Sequence, residues 1–182
     1  MNDFPRDVLD ALRRAGWTSG RRDHDMVERL NRERVPSEHP AFATLSEFGT
    51  LALGDTGPGE QCARSDVQFD LILGGDENAA RWAELLHTRL VGIGWTHNSH
   101  GELYMSEDGR VFENSIVHDA FCFLGADLAE ALTRMHKGQR AKPMLRPEQA
   151  EIRLYGDAFG PGDPNLYDWQ RLLNERPSSA KT

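Results

Sequence analysis

Residues 101–114 read GELYMSEDGRVFEN, and this stretch decides how the rest of the chain is read. Two strand-like runs flank Asp108-Gly109, a pair whose residue types accept the positive φ values of a two-residue turn. The spacing predicts a β-hairpin with Gly109 at its tip. Upstream, VGIGWTH (91–97) reads as another strand. VQFDLIL (67–73) alternates, with Val67, Phe69, Leu71 and Leu73 on one face. Between these two runs lies a helical stretch, 77–90, capped by Asp76, with Trp82, Leu85, Leu86 and Leu90 as its apolar side. Downstream, DLAEALTRMHKG (127–138) is a helix with Asp127 and Glu130 as a capping pair and Gly138 as its stop.

The first fifty residues carry a different period. A helix is expected from Pro5 to Ala15, with Val8, Ala11, Leu12 and Ala15 on one face. Gly16 sits where a left-handed cap is needed, and Trp17 falls where a Schellman cap packs its next residue back on Leu12. A second helix opens at Asp25 with Glu28 as its box partner, turns Met26, Val27 and Leu30 inward, and ends before Pro36. A third starts near Pro40, presents Phe42, Leu45 and Phe48, and stops at Gly49. TLAL (50–53) reads as a short strand and DTGPGEQ (55–61) as a loop.

Beyond Gly138 prolines, glycines and charges mix, leaving room for a short helix near 147–155 and a last helix over 163–175, with Asp163 as cap and Pro164 first. Leu166, Trp169, Leu172 and Leu173 of that last helix need something to cover. The chain therefore divides into a domain over 1–138 and an extension over 139–182, docked on the domain through its terminal helix. The closing RPSSAKT reads as disordered.

With 182 residues, 38% hydrophobic and 27% charged, the chain can bury a core without staples. The opening MNDFPRDVLDALRR lacks the apolar centre of a secretory signal. No run reaches the roughly 18 apolar residues of a membrane span. Cys62 and Cys122 are isolated and read as reduced thiols, so a cytoplasmic location is expected. The net charge of −8 is uneven: residues 49–138 hold 14 acids against 6 bases, and the flanks cancel. Such a surface argues against direct nucleic-acid binding, which needs basic residues on phosphate. It favours a basic protein partner, although acidity also serves solubility alone.

Catalytic signatures are missing. GDTGPGE has no Lys-Ser/Thr after it, GIGWTH lacks the third glycine of a dinucleotide loop, and neither GxSxG nor HExxH occurs. His97, His100 and Glu102, with His118 nearby, are the one set with zinc-like spacing, but polar loop histidines explain them equally well. Cys122, between Phe121 and Phe123, reads as a small buried apolar residue. No enzyme activity, cofactor or metal is expected.

Taken in order, Ala15-Gly16-Trp17 with Gly20-Arg21, then Leu45 to Phe48-Gly49 and Leu51, the Gly101–Val111 hairpin, and the Glu130-Ala131-Leu132 helix ending at Gly138 resemble the SUKH superfamily. Within it the chain is similar to the third subfamily, over about residues 4–138. VGIGWTH replaces the more usual proline-glycine stretch, and the 139–182 tail lies outside the pattern. The resemblance implies an α+β fold with a twisted, mainly antiparallel sheet flanked by N-terminal and C-terminal helices. It also implies an immunity protein that binds a cognate toxin domain, often a nuclease, and blocks it. In that setting Trp17 caps the first helix and Arg21 tethers the next turn to the sheet through a carboxylate. The signature Gly16, Trp17, Gly20, Arg21, Gly49 and Gly109 then maintains the scaffold.

The acids expected to meet a basic toxin are Asp55, Glu60, Asp66, Asp70 and Glu77, together with Glu102, Glu107 and Glu113. Two other readings stand beside this one: a regulatory or scaffold module for an endogenous protein, and a small metal-dependent enzyme built on His97, His100 and Glu102. Strand 110–114 is expected at a sheet edge, where it could pair with a second copy.

Overall fold

Three helices lead the chain, α1 (Arg6–Arg14), α2 (His24–Arg32) and α3 (Pro40–Phe48). Short strands β1 (Ala52–Leu53), β2 (Gly57–Pro58) and β3 (Ala63–Arg64) precede β4 (Val67–Ile72) and α4 (Glu77–Leu85). A meander follows: β5 (Leu90–Thr96), β6 (Gly101–Ser106), β7 (Val111–Ser115) and β8 (Ala120–Gly125). The chain closes with α5 (Leu128–Lys137), β9 (Lys142–Met144), β10 (Ile152–Leu154), β11 (Asp157–Phe159) and α6 (Gln170–Asn174). This computed structural model describes residues 4–54, 56–74 and 76–174.

Seven strands form one sheet in the order β1-β4-β5-β6-β7-β8-β9, with every neighbouring pair antiparallel. The fold is therefore α+β. Side chains alternate across each strand, so the sheet has two distinct faces. On the near face Phe69, Ile93, Leu103, Val111 and Leu124 pack against α1, α2, α3 and α5 through Leu12, Leu30, Leu45 and Leu132. On the far face Tyr104, Phe112, Phe121, Phe123 and Met144 meet Trp82 and Leu86 near α4 and Leu172 of α6. Trp82 stacks on Phe121 with centroids 5.5 Å apart and meets Trp169 edge-on at 5.9 Å.

The central hairpin forms where expected, with a different turn. Ser106 N–H donates to Arg110 O (3.0 Å) and Gly109 N–H to Ser106 O (2.9 Å), which leaves Glu107, Asp108 and Gly109 in the loop. Only Gly109 takes a positive φ, 85°, as in a three-residue loop with a bulge. The side chain of Asp108 accepts from Ser106 Oγ and faces the Arg110 guanidinium at 3.3 Å, which keeps that residue out of the left-handed region.

Several boundaries differ from the sequence expectation. Helix α2 starts at His24, one residue before the expected Asp25, because Asp23 is the cap and accepts the Met26 N–H (2.9 Å). Helix α4 ends at Leu85, since His87 is left-handed (φ 48°) and Leu90 already belongs to β5. Leu73 is 52% exposed instead of facing the core, because β4 ends at Ile72 and the chain turns at Gly74. The loop over 55–61 contains β2, paired with β3. No helix occupies 147–155. Instead β10 and β11 form a hairpin across Tyr155-Gly156, whose φ values of 57° and 82° make a two-residue turn of the primed type. The last helix begins at Gln170 rather than 163, and Tyr167 N–H instead bonds to Pro143 O (2.8 Å). Strand β7 is interior, between β6 and β8; the sheet edges are β1 and β9. The RPSSAKT stretch lies outside the described residues.

Candidate partner-binding surface

The acids singled out from the sequence occupy different parts of the molecule. Glu60 is exposed and accepts from Gln139 Nε2 (2.9 Å), where the β2–β3 hairpin is tied to the end of α5 through Glu60 N–H and Lys137 O (2.8 Å). Asp66 is half-buried and takes the Asn98 N–H (3.0 Å) at the end of the sheet where β5 turns into β6. Asp70 pairs with Arg29 at the side of β4, and Arg29 also donates to Leu71 O (2.8 Å). Glu77 stands in solvent at the first turn of α4 and pairs with Arg81 (2.6 Å). Glu107 is exposed at the hairpin tip, the opposite end of the sheet from Asp66, and accepts from Thr88 Oγ1 (3.4 Å). Asp55 lies outside the described residues.

Two members of the set are not surface groups. Glu102 is 6% exposed and Glu113 7%, so neither offers its carboxylate to a partner as a free surface charge. The cause is the covering of β6 and β7 on both faces. The register, Glu102 opposite Asn114 and Leu103 opposite Glu113, also sends the two carboxylates to opposite sides of the sheet.

On the near face Glu113 Oε1 accepts from Thr96 Oγ1 (2.6 Å) and faces His97 Nε2 at 3.1 Å. That hydrogen bond holds the His97 pKa above its ordinary value, against partial burial. His97, Asn98 and Ser99 are consecutively left-handed, with φ of 51°, 54° and 66°, and the turn is fastened by His97 N–H to Ser65 Oγ (3.1 Å). His100 Nδ1 meets His97 O at 2.7 Å. Since Glu102 is on the other face, the zinc-like set does not converge. No group of three or more His, Cys, Asp or Glu side chains is arranged to hold a metal among the described residues.

On the far face Glu102 Oε2 accepts from Tyr104 OH (2.8 Å) and Asn114 Nδ2 (3.1 Å). Burial and the adjacent carboxylate push the Tyr104 hydroxyl pKa well up. Asn114 Oδ1 takes Asn78 Nδ2 (3.0 Å), and Asn78 Oδ1 in turn receives Arg146. Arg146, with only 5% of its side chain exposed, also binds Asp119 at 2.8 and 3.1 Å and Glu148 at 2.7 Å. Its hydrogen bonds hold the Asp119 carboxyl below the usual carboxylate range. Sequence reasoning missed this chain of polar groups. Its one visible signal was Asn114, a polar residue inside an otherwise apolar hairpin strand.

The signature residues sit together on the helical side. Trp17 N–H reaches Leu12 O (2.9 Å) and Gly16 N–H reaches Arg13 O (3.0 Å), the two bonds of a Schellman cap. The Trp17 ring lies parallel over Phe48 at 6.3 Å, and its Nε1 donates to Glu47 Oε1 (2.9 Å). After the Gly20 turn, Arg21 donates to Glu47 O, Gly49 O (2.9 Å), Asp23 Oδ2 (3.0 Å) and Thr50 Oγ1 (3.1 Å). One guanidinium thus closes the C-terminus of α3 and braces the N-cap of α2, whose Asp23 pKa is lowered first by the Met26 N–H. Gly49 is not left-handed. A Cβ there would lie 2.4 Å from Leu45 O and 2.8 Å from Met26 Cγ, so α2 and α3 approach too closely for any side chain.

The chain matches a family model described as SUKH-3 immunity protein over residues 4–138. The match runs from just before α1 to the left-handed Gly138 that ends α5. Comparison with curated proteins and with solved structures gave no match.

Proposed function

This chain belongs to the SUKH-3 immunity protein family, and from that membership we propose that it binds and neutralises a cognate secreted toxin by direct protein–protein contact in the cytoplasm. The toxin is a basic, nucleic-acid-targeting domain, held one to one through the acidic surface of the sheet region. The observation that carries this reading is the match to an immunity family across a segment that also holds the whole charge imbalance, 14 acids to 6 bases over 49–138. Burial of Glu102 and Glu113 leaves Glu60, Asp66, Asp70, Glu77 and Glu107 as contact acids able to attract a basic partner. Opposite charge of this kind speeds encounter, toward ~10⁸ M⁻¹s⁻¹ at low salt, and suppresses wrong partners. The protein acts by occupancy and turns over no substrate.

The test is a tagged pull-down from the native bacterium, eluted with a salt gradient and identified by mass spectrometry. The expected product is a single basic toxin domain at one-to-one stoichiometry, and co-expression with that domain restores growth. Recovery of housekeeping proteins alone would overturn the immunity reading in favour of a regulatory module.

A further inference from the structure

Helices α4 and α6 cover the far face over β6 to β9 through a shared apolar core, against which Leu90 at the start of β5 also packs; the rest of that face of β4 and β5 contributes nothing large to it. Gln68, exposed, stands beside Trp95, and Trp95 stands opposite Glu102. Trp95 is half-buried, belongs to neither hydrophobic core and stacks on no other ring among the described residues. Its indole N–H has no acceptor there, nor has that of the buried Trp82, whereas those of Trp17 and Trp169 are each bonded. Ile72 points the same way, since a Cβ on its neighbour Gly92 would strike the Ile72 side chain at 2.5 Å; it too lies outside both cores.

Of the large apolar side chains exposed among the described residues, Leu73 (52% exposed) follows Ile72 at one end of β4, while Ile116 (47%), whose N–H bonds to His100 O (3.0 Å), and Val117 (62%) lie in the β7–β8 turn at the other end of the sheet. An amphipathic tryptophan with scattered aliphatic neighbours is the composition of an interface centre, not of a solvated sheet face.

The charge around the panel has one sign in excess. Asp66, Asp70, Asp76 and Glu77 stand against Arg29 and Arg81. Among residues 1–48, in contrast, nine acids meet eight bases. We propose that the open far face of β4–β5, with Trp95 as its anchor, is where the toxin docks, apolar at its centre and basic at its margin. This rests on the immunity reading above. A second copy of this chain is a poor occupant, because it would bring the same excess of carboxylates to the same face.

The probe is the toxin domain recovered in the pull-down, with its own catalytic residue replaced so that it can be handled. Trp95→Ala is expected to weaken its binding to this chain at least ~30-fold, as truncation of a central tryptophan does. Trp95 is partly buried, so the melting temperature of the variant is recorded as well and binding is compared where both chains are folded. Gln68→Lys, on the exposed neighbour, serves as the second variant and should weaken binding ~10-fold and flatten its salt dependence. Glu151→Gln, on the β10 side, should bind as wild type. Binding to both panel variants within ~2-fold of wild type would overturn the docking site and leave the immunity reading standing. Failure of the wild-type chain to bind the toxin would remove that reading and the site with it. A wild-type dimer that Trp95→Ala dissolves would assign the face to self-association and also overturn the proposal.

Discussion

Arg146→Ala should be among the most damaging single substitutions beyond Gly138, and the structure sets its cost. The guanidinium touches Asp119, Glu148 and Asn78, but the carboxylates are 63% and 56% exposed and rehydrate once released. The Arg146–Asp119 pair therefore contributes at most about 1 kcal/mol. Asn78 is different. Its Oδ1 loses a charged donor while its Nδ2 stays committed to the fully buried Asn114, so a partly buried acceptor left unpaired costs about 1 kcal/mol. Loss of the buried arginine stem adds about 1 kcal/mol. The total, about 3 kcal/mol, corresponds to a fall in Tm of about 6–12 °C for a chain of this size. Asp119→Asn should cost less than about 1 kcal/mol, because Asn78 keeps its donor. Thermal unfolding at pH 7 measures both, and hydrogen exchange over 139–174 should speed up only in Arg146→Ala. A drop below about 2 °C, or equal losses in the two variants, would refute the idea that Arg146 staples this segment to the sheet. The gap between wild type and Arg146→Ala should also narrow in acid. Asp119 has a lowered pKa, so its pairing contributes above the unfolded value near 3.8 and is lost as pH falls through the folded one.

Three further outcomes are expected. Arg21→Ala removes the one side chain that binds Glu47 O, Gly49 O and Asp23 together, and should cost about 2–4 kcal/mol by urea unfolding, with Arg21→Lys recovering less than half. Gly49→Ala forces a methyl into Leu45 O and Met26 and should cost at least about 2 kcal/mol, an effect that a Met26→Ala background should reduce but not abolish, since the backbone clash remains. His97 has a folded pKa above its ordinary 6.5, raised by Glu113, with Asp66 also favouring the charged form; its bond therefore adds stability fully present below about pH 6.5 and lost as pH rises through the folded value. The urea midpoint should accordingly fall between pH 6 and 8 in wild type and stay level in His97→Gln.

What could be read from the chain was whatever depends on near neighbours. The Schellman cap needs only Leu12, Arg13, Gly16 and Trp17, and the α5 ends need only Asp127, Glu130 and Gly138. Alternation marked β4, β5 and the β6–β7 pair because side-chain period is a local property. The segment after Gly138 resisted reading for the opposite reason. Strand β9 has three residues and contains Pro143, so its pairing with β8 has no pattern of its own. The β10–β11 turn uses Tyr155 at positive φ, a residue that does not announce a turn.

The misplacement of Glu102 and Glu113 shows where counting charges along a chain breaks down. In GELYMSEDGRVFEN the two glutamates look like the wet side of a hairpin, yet whether a strand has a wet side depends on what lies over it. Here α4, some twenty residues upstream of Glu102, and α6, far downstream, cover one face, while α1, α2, α3 and α5 cover the other. Each glutamate then needs a polar partner within the sheet, and each has one: Thr96 and His97 for Glu113, Tyr104 and Asn114 for Glu102. The acidic excess that remains outside is smaller, and Asp66, Asp70, Asp76 and Glu77 place part of it along β4 and the start of α4. On the far face beside them Ile72 and Trp95 stand apart from both cores. Charge and open apolar surface converge on one panel only after the buried carboxylates are subtracted, so a toxin that reads this protein by charge alone should prove sensitive to Gln68→Lys and indifferent to Glu113→Gln, provided the variant folds.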